Sequence, residues 1–122
     1  MAGTLTINVS HSLVNGKHKE SFNPGTIIVT QTNLGAFAPT ISVVTTEEVI
    51  PQTDIGTLGW CVLQNLDATN FVEFGPESAG VMVGFVKLKA GEHGTFRLKP
   101  GIVIRGKADT AAVEVKIIIY ED

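Results

Sequence analysis

The amino-acid sequence predicts an all-β protein, an antiparallel two-sheet sandwich of jelly-roll type with roughly eight to ten strands and no substantial helix. Three observations carry that expectation. Apolar and polar residues alternate with a period of two in short runs. The runs are separated by Gly, Pro, Asn and Asp at about the 8–12-residue spacing of sandwiches and barrels. No stretch keeps the 3.6-residue stripe of an amphipathic helix. At 122 residues the chain reads as a single domain, residues 1–122, because a chain of this size removes roughly two-thirds of its unfolded surface from water around one core.

The elements follow in order. Leu5, Ile7 and Val9 alternate with Thr4, Thr6 and Asn8 ahead of the turn signal Asn15-Gly16, which is a half-buried strand entering a hairpin. Lys17 to Phe22 is mostly polar and suits an edge strand, ended by Asn23-Pro24-Gly25. Thr26 to Thr32 is β-branched almost throughout, and Asn33 to Pro39 reads as a loop with Phe37 at its apolar tip. Thr40 to Ile50 is the next strand, and its Glu47-Glu48 pair occupies both faces and so marks a rim or an end. Leu58 to Leu66 holds Trp60, Cys61, Val62 and Leu63 in a nearly continuous apolar run, which suggests cover on both faces. Asn65 to Asn70 is a turn, Phe71 to Phe74 a short strand and Gly75 to Gly80 a loop. Val81 to Leu88 and Thr95 to Leu98 read as the two arms of a hairpin. Ile102 to Arg105 and Ala112 to Tyr120 close the chain. In the last, Val113, Val115, Ile117 and Ile119 face one way and Glu114, Lys116 and Ile118 the other.

Composition narrows the function classes. Nine basic against twelve acidic residues leave a formal charge of −3, with no excess of positive charge for gripping phosphates, so direct nucleic-acid binding is not expected. The basic residues between Lys87 and Lys116 are interspersed with Glu92, Asp109 and Glu114, as on a solvated face. The longest apolar runs, Gly80 to Val86 and Ile117 to Ile119, are far below the roughly 18 residues of a membrane helix. Met1-Ala2-Gly3-Thr4 lacks a basic n-region, and Cys61 has no second cysteine to pair with. Both favour synthesis in a reducing cytoplasm.

The residue types that do chemistry are sparse. His11, His18 and His93 have no spacing that compels proximity, so no enzyme is expected; a small hydrolase would need at least two of these and Asp67 or Asp109 to converge. No His-x-His pattern or acidic loop suggests a metal, and the Asp67-Ala68-Thr69-Asn70 stretch is more simply an Asx turn than a calcium loop. Cys61 lies in the most apolar run and reads as a small core residue. No glycine cluster is followed by a phosphate-loop lysine, and no cofactor is expected. Asn8-Val9-Ser10 matches a glycosylation acceptor but falls within a strand.

The recognition features are few. Phe37, Ala38 and Pro39 at a loop tip suggest a partner contact, with the alternative that Phe37 folds back over the end of the sandwich. Glu47 and Glu48 at the rim and His93 between glycines complete the candidate partner-contact residues. Trp60, Phe37 and Tyr120 would form a sugar platform only if exposed together.

The segments Asn65-Leu66-Asp67-Ala68-Thr69-Asn70, Lys87-Leu88-Lys89-Ala90-Gly91-Glu92, Thr95 to Gly101 and Lys107 to Val113, running on to Glu121-Asp122, resemble small structural proteins of tailed-bacteriophage virions, of the head-decoration or cement type. The resemblance covers about the C-terminal half; Met1 to Gly56 is similar only through Thr45-Thr46-Glu47-Glu48. It implies a protein of the virion, assembled in the host bacterial cytoplasm. Its partners would be the major capsid protein or other virion proteins, and copies of itself as a trimer or higher oligomer. A tail or head-to-tail connector role is the alternative within that class, and a carbohydrate-binding sandwich is the alternative outside it.

Overall fold

The computed structural model describes residues 3–32, 35–52 and 55–122, and among them there are fourteen strands and no helix. They fall into two compact units, Met1–Leu34 and Gly35–Asp122.

The first unit is a two-stranded ribbon. Strand β1 (Gly3–Asn8) pairs antiparallel with β4 (Thr26–Gln31), and β2 (His11–Asn15) with β3 (His18–Phe22). Gly16, at φ 60°, allows the tight reversal from Asn15 to His18 that the Asn-Gly signal predicts. Val9-Ser10 interrupts one side and Asn23-Pro24-Gly25 the other. This unequal break shifts the register by one residue, so Gly3 faces Gln31 whereas His11 faces Phe22. Asn23 Oδ1 accepts from Gly25 N at 3.1 Å, and Thr26 Oγ1 donates to Asn8 Oδ1 at 2.6 Å, which pins the break. Every residue of β2 and β3 is exposed, and Ile7 is the one buried residue among the described residues of the ribbon.

The second unit is a jelly roll. Its strands are β5 (Ala36–Phe37), β6 (Thr40–Val43), β7 (Glu48–Val49), β8 (Leu58–Asn65), β9 (Val72–Ser78), β10 (Val81–Met82), β11 (Val86–Leu88), β12 (His93–Arg97), β13 (Ile104–Ala108) and β14 (Val113–Glu121). One sheet runs β12-β8-β14, with β5 and β6 both along the far side of β14. The other runs β7-β13-β9, with β10 and β11 both along the far side of β9. The pairings are nested: β6 with β14, β7 with β13, β8 with β12 and β9 with β11, all antiparallel. A long antiparallel ribbon folded over on itself gives this order, and it is the jelly-roll form of closing two sheets over one core.

Alternation fills that core. Val113, Val115, Ile117 and Ile119 on β14 are fully buried, as their spacing predicts, with Cys61 and Leu63 from β8 beside them and Val72, Phe74, Ile104 and Ala108 from the other sheet in the same cluster. Each such side chain contributes about 1.5–3 kcal/mol on leaving water. On β8 the cover is unequal: Cys61, Leu63 and Asn65 are buried, while Trp60, Val62 and Gln64 are only half-buried.

Three expectations need correction. Val81–Leu88 and Thr95–Leu98 are not arms of one hairpin, because β11 pairs with β9 and β12 pairs with β8 in the opposite sheet. The Lys89–Glu92 link carries the chain between sheets, held by the bond from Lys89 N to Glu92 Oε1 at 2.6 Å. Thr40 to Ile50 is likewise two short strands on different sheets. The segment from Gly75 is not a loop: β9 continues to Ser78, and the reversal is Ala79-Gly80, both at positive φ. Gly75 is a glycine because the backbone of Val83 crosses over it, where a Cβ would collide with the Val83 carbonyl oxygen.

Candidate binding surface

Phe37 is not at a loop tip. It lies on β5 opposite Ile119, half-buried and packed against the core, as the fold-back alternative supposes; Asn33 and Leu34 of the expected loop lie outside the described residues. Ala38 is exposed and its carbonyl accepts from Lys116 Nζ at 2.9 Å, while the Pro39 carbonyl accepts from Ile117 N at 3.0 Å. Glu47 and Glu48 do mark a rim, since β7 is the edge of its sheet. The Glu47 carboxylate is engaged within the fold: it accepts from Met82 N at 3.1 Å and sits 3.8 Å from Arg105 Nη1. The same arginine donates from Nε and Nη2 to Glu77 Oε1 at 2.9 and 2.6 Å. His93 is exposed and opens β12 rather than sitting in a loop, opposite Gln64.

The groups with potential chemistry are scattered. His11 stacks on Phe22, with ring centroids 5.2 Å apart, and His18 lies 3.4 Å from Glu20, both on the ribbon. Among the described residues, no three His, Cys, Asp or Glu side chains are placed to hold a metal ion. Burial pushes the Cys61 thiol up to about 12, which suits the core role its sequence position predicts. Asp67 makes the expected Asx turn. Its carboxylate accepts from Asn70 N at 2.6 Å and Thr69 N at 2.9 Å, and these backbone bonds hold it below the usual carboxylate range. Beneath the turn Asn65 is fully buried. Its Nδ2 donates to the carbonyls of Asn70 and Leu88, and its Oδ1 accepts from Asp67 N.

The feature most suited to binding is a corner of the sandwich that sequence reasoning passed over. Between the sheets an apolar cleft of about 210 Å3 is lined by Phe74, Pro76, Phe96, Leu98 and Ile102 among others, and Phe85 stands at it. Phe85 is 86% exposed, with Val83 and Val81 more than half exposed nearby in the chain. The backbone crossing at Gly75 goes with the placement: the register against β9 shifts by one residue between Met82 and Val86, with Val83 N and Phe85 N still donating to the carbonyls of Pro76 and Phe74, and such a bulge re-aims a side chain outward. Glu73 and Lys87, opposite one another on β9 and β11, flank Phe85 on its outer side. A signal was present in the sequence. Val81-Met82-Val83-Gly84-Phe85-Val86 is apolar at both parities, and a strand at the edge of a two-layer sandwich buries only one of them.

No family model matches the chain, and neither a curated protein nor a solved structure is found to be similar to it.

Proposed function

We propose that this chain is a non-enzymatic structural protein of a tailed-phage virion, a decoration protein that binds the outer surface of the head and stabilises the shell. The observation that carries the reading is the exposed apolar corner around Phe85, since a contiguous apolar surface with polar neighbours is what a protein contact uses. The sequence resemblance supplies the virion context, and the jelly roll offers rigid sheets on which such a surface keeps its shape. The major capsid protein is the partner, and several copies around a local axis repeat one modest contact so that avidity accumulates across the shell.

A sugar platform is disfavoured by one geometric fact. Phe37 points to the inner face of its sheet with Ile119, whereas Trp60 is on the outer face next in sequence to the inward Cys61. The two rings therefore lie on opposite sides of one sheet.

Electron microscopy of purified particles, with and without the gene, tests the proposal. Copies distributed over the head surface, and shells that rupture at lower temperature without them, are the expected result. Absence from the particle overturns it, and a ring of fixed copy number at one vertex moves the protein to the connector.

A further inference from the structure

We infer that the bulge at Phe85 and Val86 is a two-state latch, in which the Phe85 ring moves between solvent and the adjacent apolar cleft and trades places with Val86 over Phe74. The latch regulates the surface assigned above to the partner. Its purpose rests on that reading, while its existence rests on the sandwich alone.

The hydrogen bonds locate the bulge. Val83 N donates to the Pro76 carbonyl at 2.8 Å and Phe85 N to the Phe74 carbonyl at 2.9 Å, which continues the register of Val81 with Ser78 and Met82 with Glu77. The ladder of β11 begins at Val86, which is also opposite Phe74. Two consecutive residues therefore face one, as in a bulge. Phe74 is buried in the core, so the place over it is an inward one, and the chain offers two apolar side chains for it. In this structure Val86 holds the place, half-buried and packed on the core, and Phe85 is 86% exposed.

Moving the bulge by one residue reverses the assignment: Phe85 takes the inward place and Val86 becomes the extra residue. Three features bring the two states close in free energy. First, the pairs on either side, Met82 with Glu77 and Lys87 with Glu73, keep their partners, so the change is confined to the bulge. Second, a seat exists. The cleft is about 210 Å3, is lined by Leu63, Phe96, Leu98 and Ile102 among others, and already has Phe85 as one wall. An apolar cavity of about 150 Å3 accepts a benzene ring, so the ring needs only to turn inward. Third, the residue before Phe85 is Gly84, where the nearest atom to an added Cβ would be Glu73 Oε2 at 3.8 Å. Glycine in open space gives the backbone the freedom that the exchange requires.

The drive to bury the ring is opposed by the exposure of Val86, and two apolar costs of similar size make an element that a ligand can bias. With Phe85 seated, the free protein shows water a smaller apolar corner. A partner that contacts the ring draws it out by binding that state alone.

Fluorine NMR of the full chain, grown with para-fluorophenylalanine, tests this, the Phe85 signal being identified by its loss in Phe85→Leu. The readout is the change in its position between light and heavy water, which is full for a ring in solvent and absent for a seated one. The wild type is expected to give a partial change or two signals. Val86→Ala takes two methyl groups from the competing side chain and is expected to raise the ratio of seated to exposed ring about tenfold. Val86→Phe, a larger competitor, is expected to lower it; Val86→Ala decides alone where that variant does not fold. A change that stays full in both the wild type and Val86→Ala, or that is identical in every chain, overturns the inference. All measurements are made on the free protein, so absence from particles would overturn the virion reading and leave the latch standing.

Discussion

The two units of this chain use the same period-two pattern to opposite effect. In Gly35–Asp122, alternation places a full row of β14 side chains against a second sheet, and the row is completely buried. In Met1–Leu34, alternation produces equally regular pairing over β1 to β4, yet every side chain of β2 and β3 remains exposed, Leu13, Val14 and Phe22 among them. Hydrogen-bond ladders set the shape of both, but a ladder nets little free energy beyond what water offers the same groups. Burial makes the difference, and a two-stranded ribbon without a second layer is marginal by itself. The sandwich is thus the part whose stability depends on sequence, and the ribbon end is the part whose sequence is free to serve something else.

The strongest way to break that contrast is to damage the sandwich core. Val115→Asp puts a carboxylate where Val115 is fully buried opposite Ile41 and Asn65. It should destabilise by at least about 4 kcal/mol, most of a small domain's margin, and yield insoluble or unfolded protein. A soluble, cooperatively melting variant would show that the inward face has been misassigned. Next in size is Asn65→Ala, which leaves the carbonyls of Asn70 and Leu88 and the amide of Asp67 without their partner inside the fold. A loss of about 2–3 kcal/mol in denaturant unfolding is expected; a change below about 0.5 kcal/mol would mean that water replaces the side chain there.

How much of this was legible depended on whether the deciding contact was local. β14 could be read directly because its four alternating apolar positions agree, and the Asx turn because Asp67 and Asn70 form it within four residues. The nested pairing of β8 with β12 and β9 with β11 was not legible: both segments look like hairpin arms, and only the second sheet decides which neighbour each one takes. Gly75-Pro76 read as a break because those residue types usually are one. In the fold Gly75 yields space to a crossing backbone, and the Pro76 carbonyl still accepts from Val83 N at 2.8 Å. Phe37 looked like a contact residue for the same reason, since its cover comes from β14, eighty residues later in the chain. Phe85 escaped notice because an apolar residue among apolar neighbours looks like core until the parity is counted.

A smaller effect distinguishes charge from packing within the sandwich. The backbone bonds from Asn70 and Thr69 hold the Asp67 carboxyl below its usual range, so its ionised form is favoured in the folded state. The resulting stability is fully present above the unfolded value, about 4, and disappears as pH falls through the lower folded value. Asp67→Asn keeps a side-chain oxygen for the turn but cannot ionise. The wild type should therefore melt above the variant at pH 7, and the gap should narrow as pH falls below about 4. A gap that is constant across this range would mean that the charge of Asp67 contributes nothing and the turn alone holds the loop.

The smallest expected effect is the most direct test of the contrast. Val14 is 72% exposed on β2, opposite Lys19. Val14→Ser removes apolar surface that the folded chain leaves in water, so thermal unfolding of the dilute protein should change by no more than about 0.5 kcal/mol. The same substitution made at a buried position of β14 would remove a full side chain from the core and lower stability several times as much. If Val14→Ser proves costly in dilute solution, the ribbon end is covered in the free protein, and the division between a self-sufficient sandwich and an uncovered ribbon fails. If it is silent in the free protein yet weakens incorporation into particles, the exposed apolar residues of β2 and β3 are there for a neighbour, because burial against another chain is then the only state in which the valine leaves water.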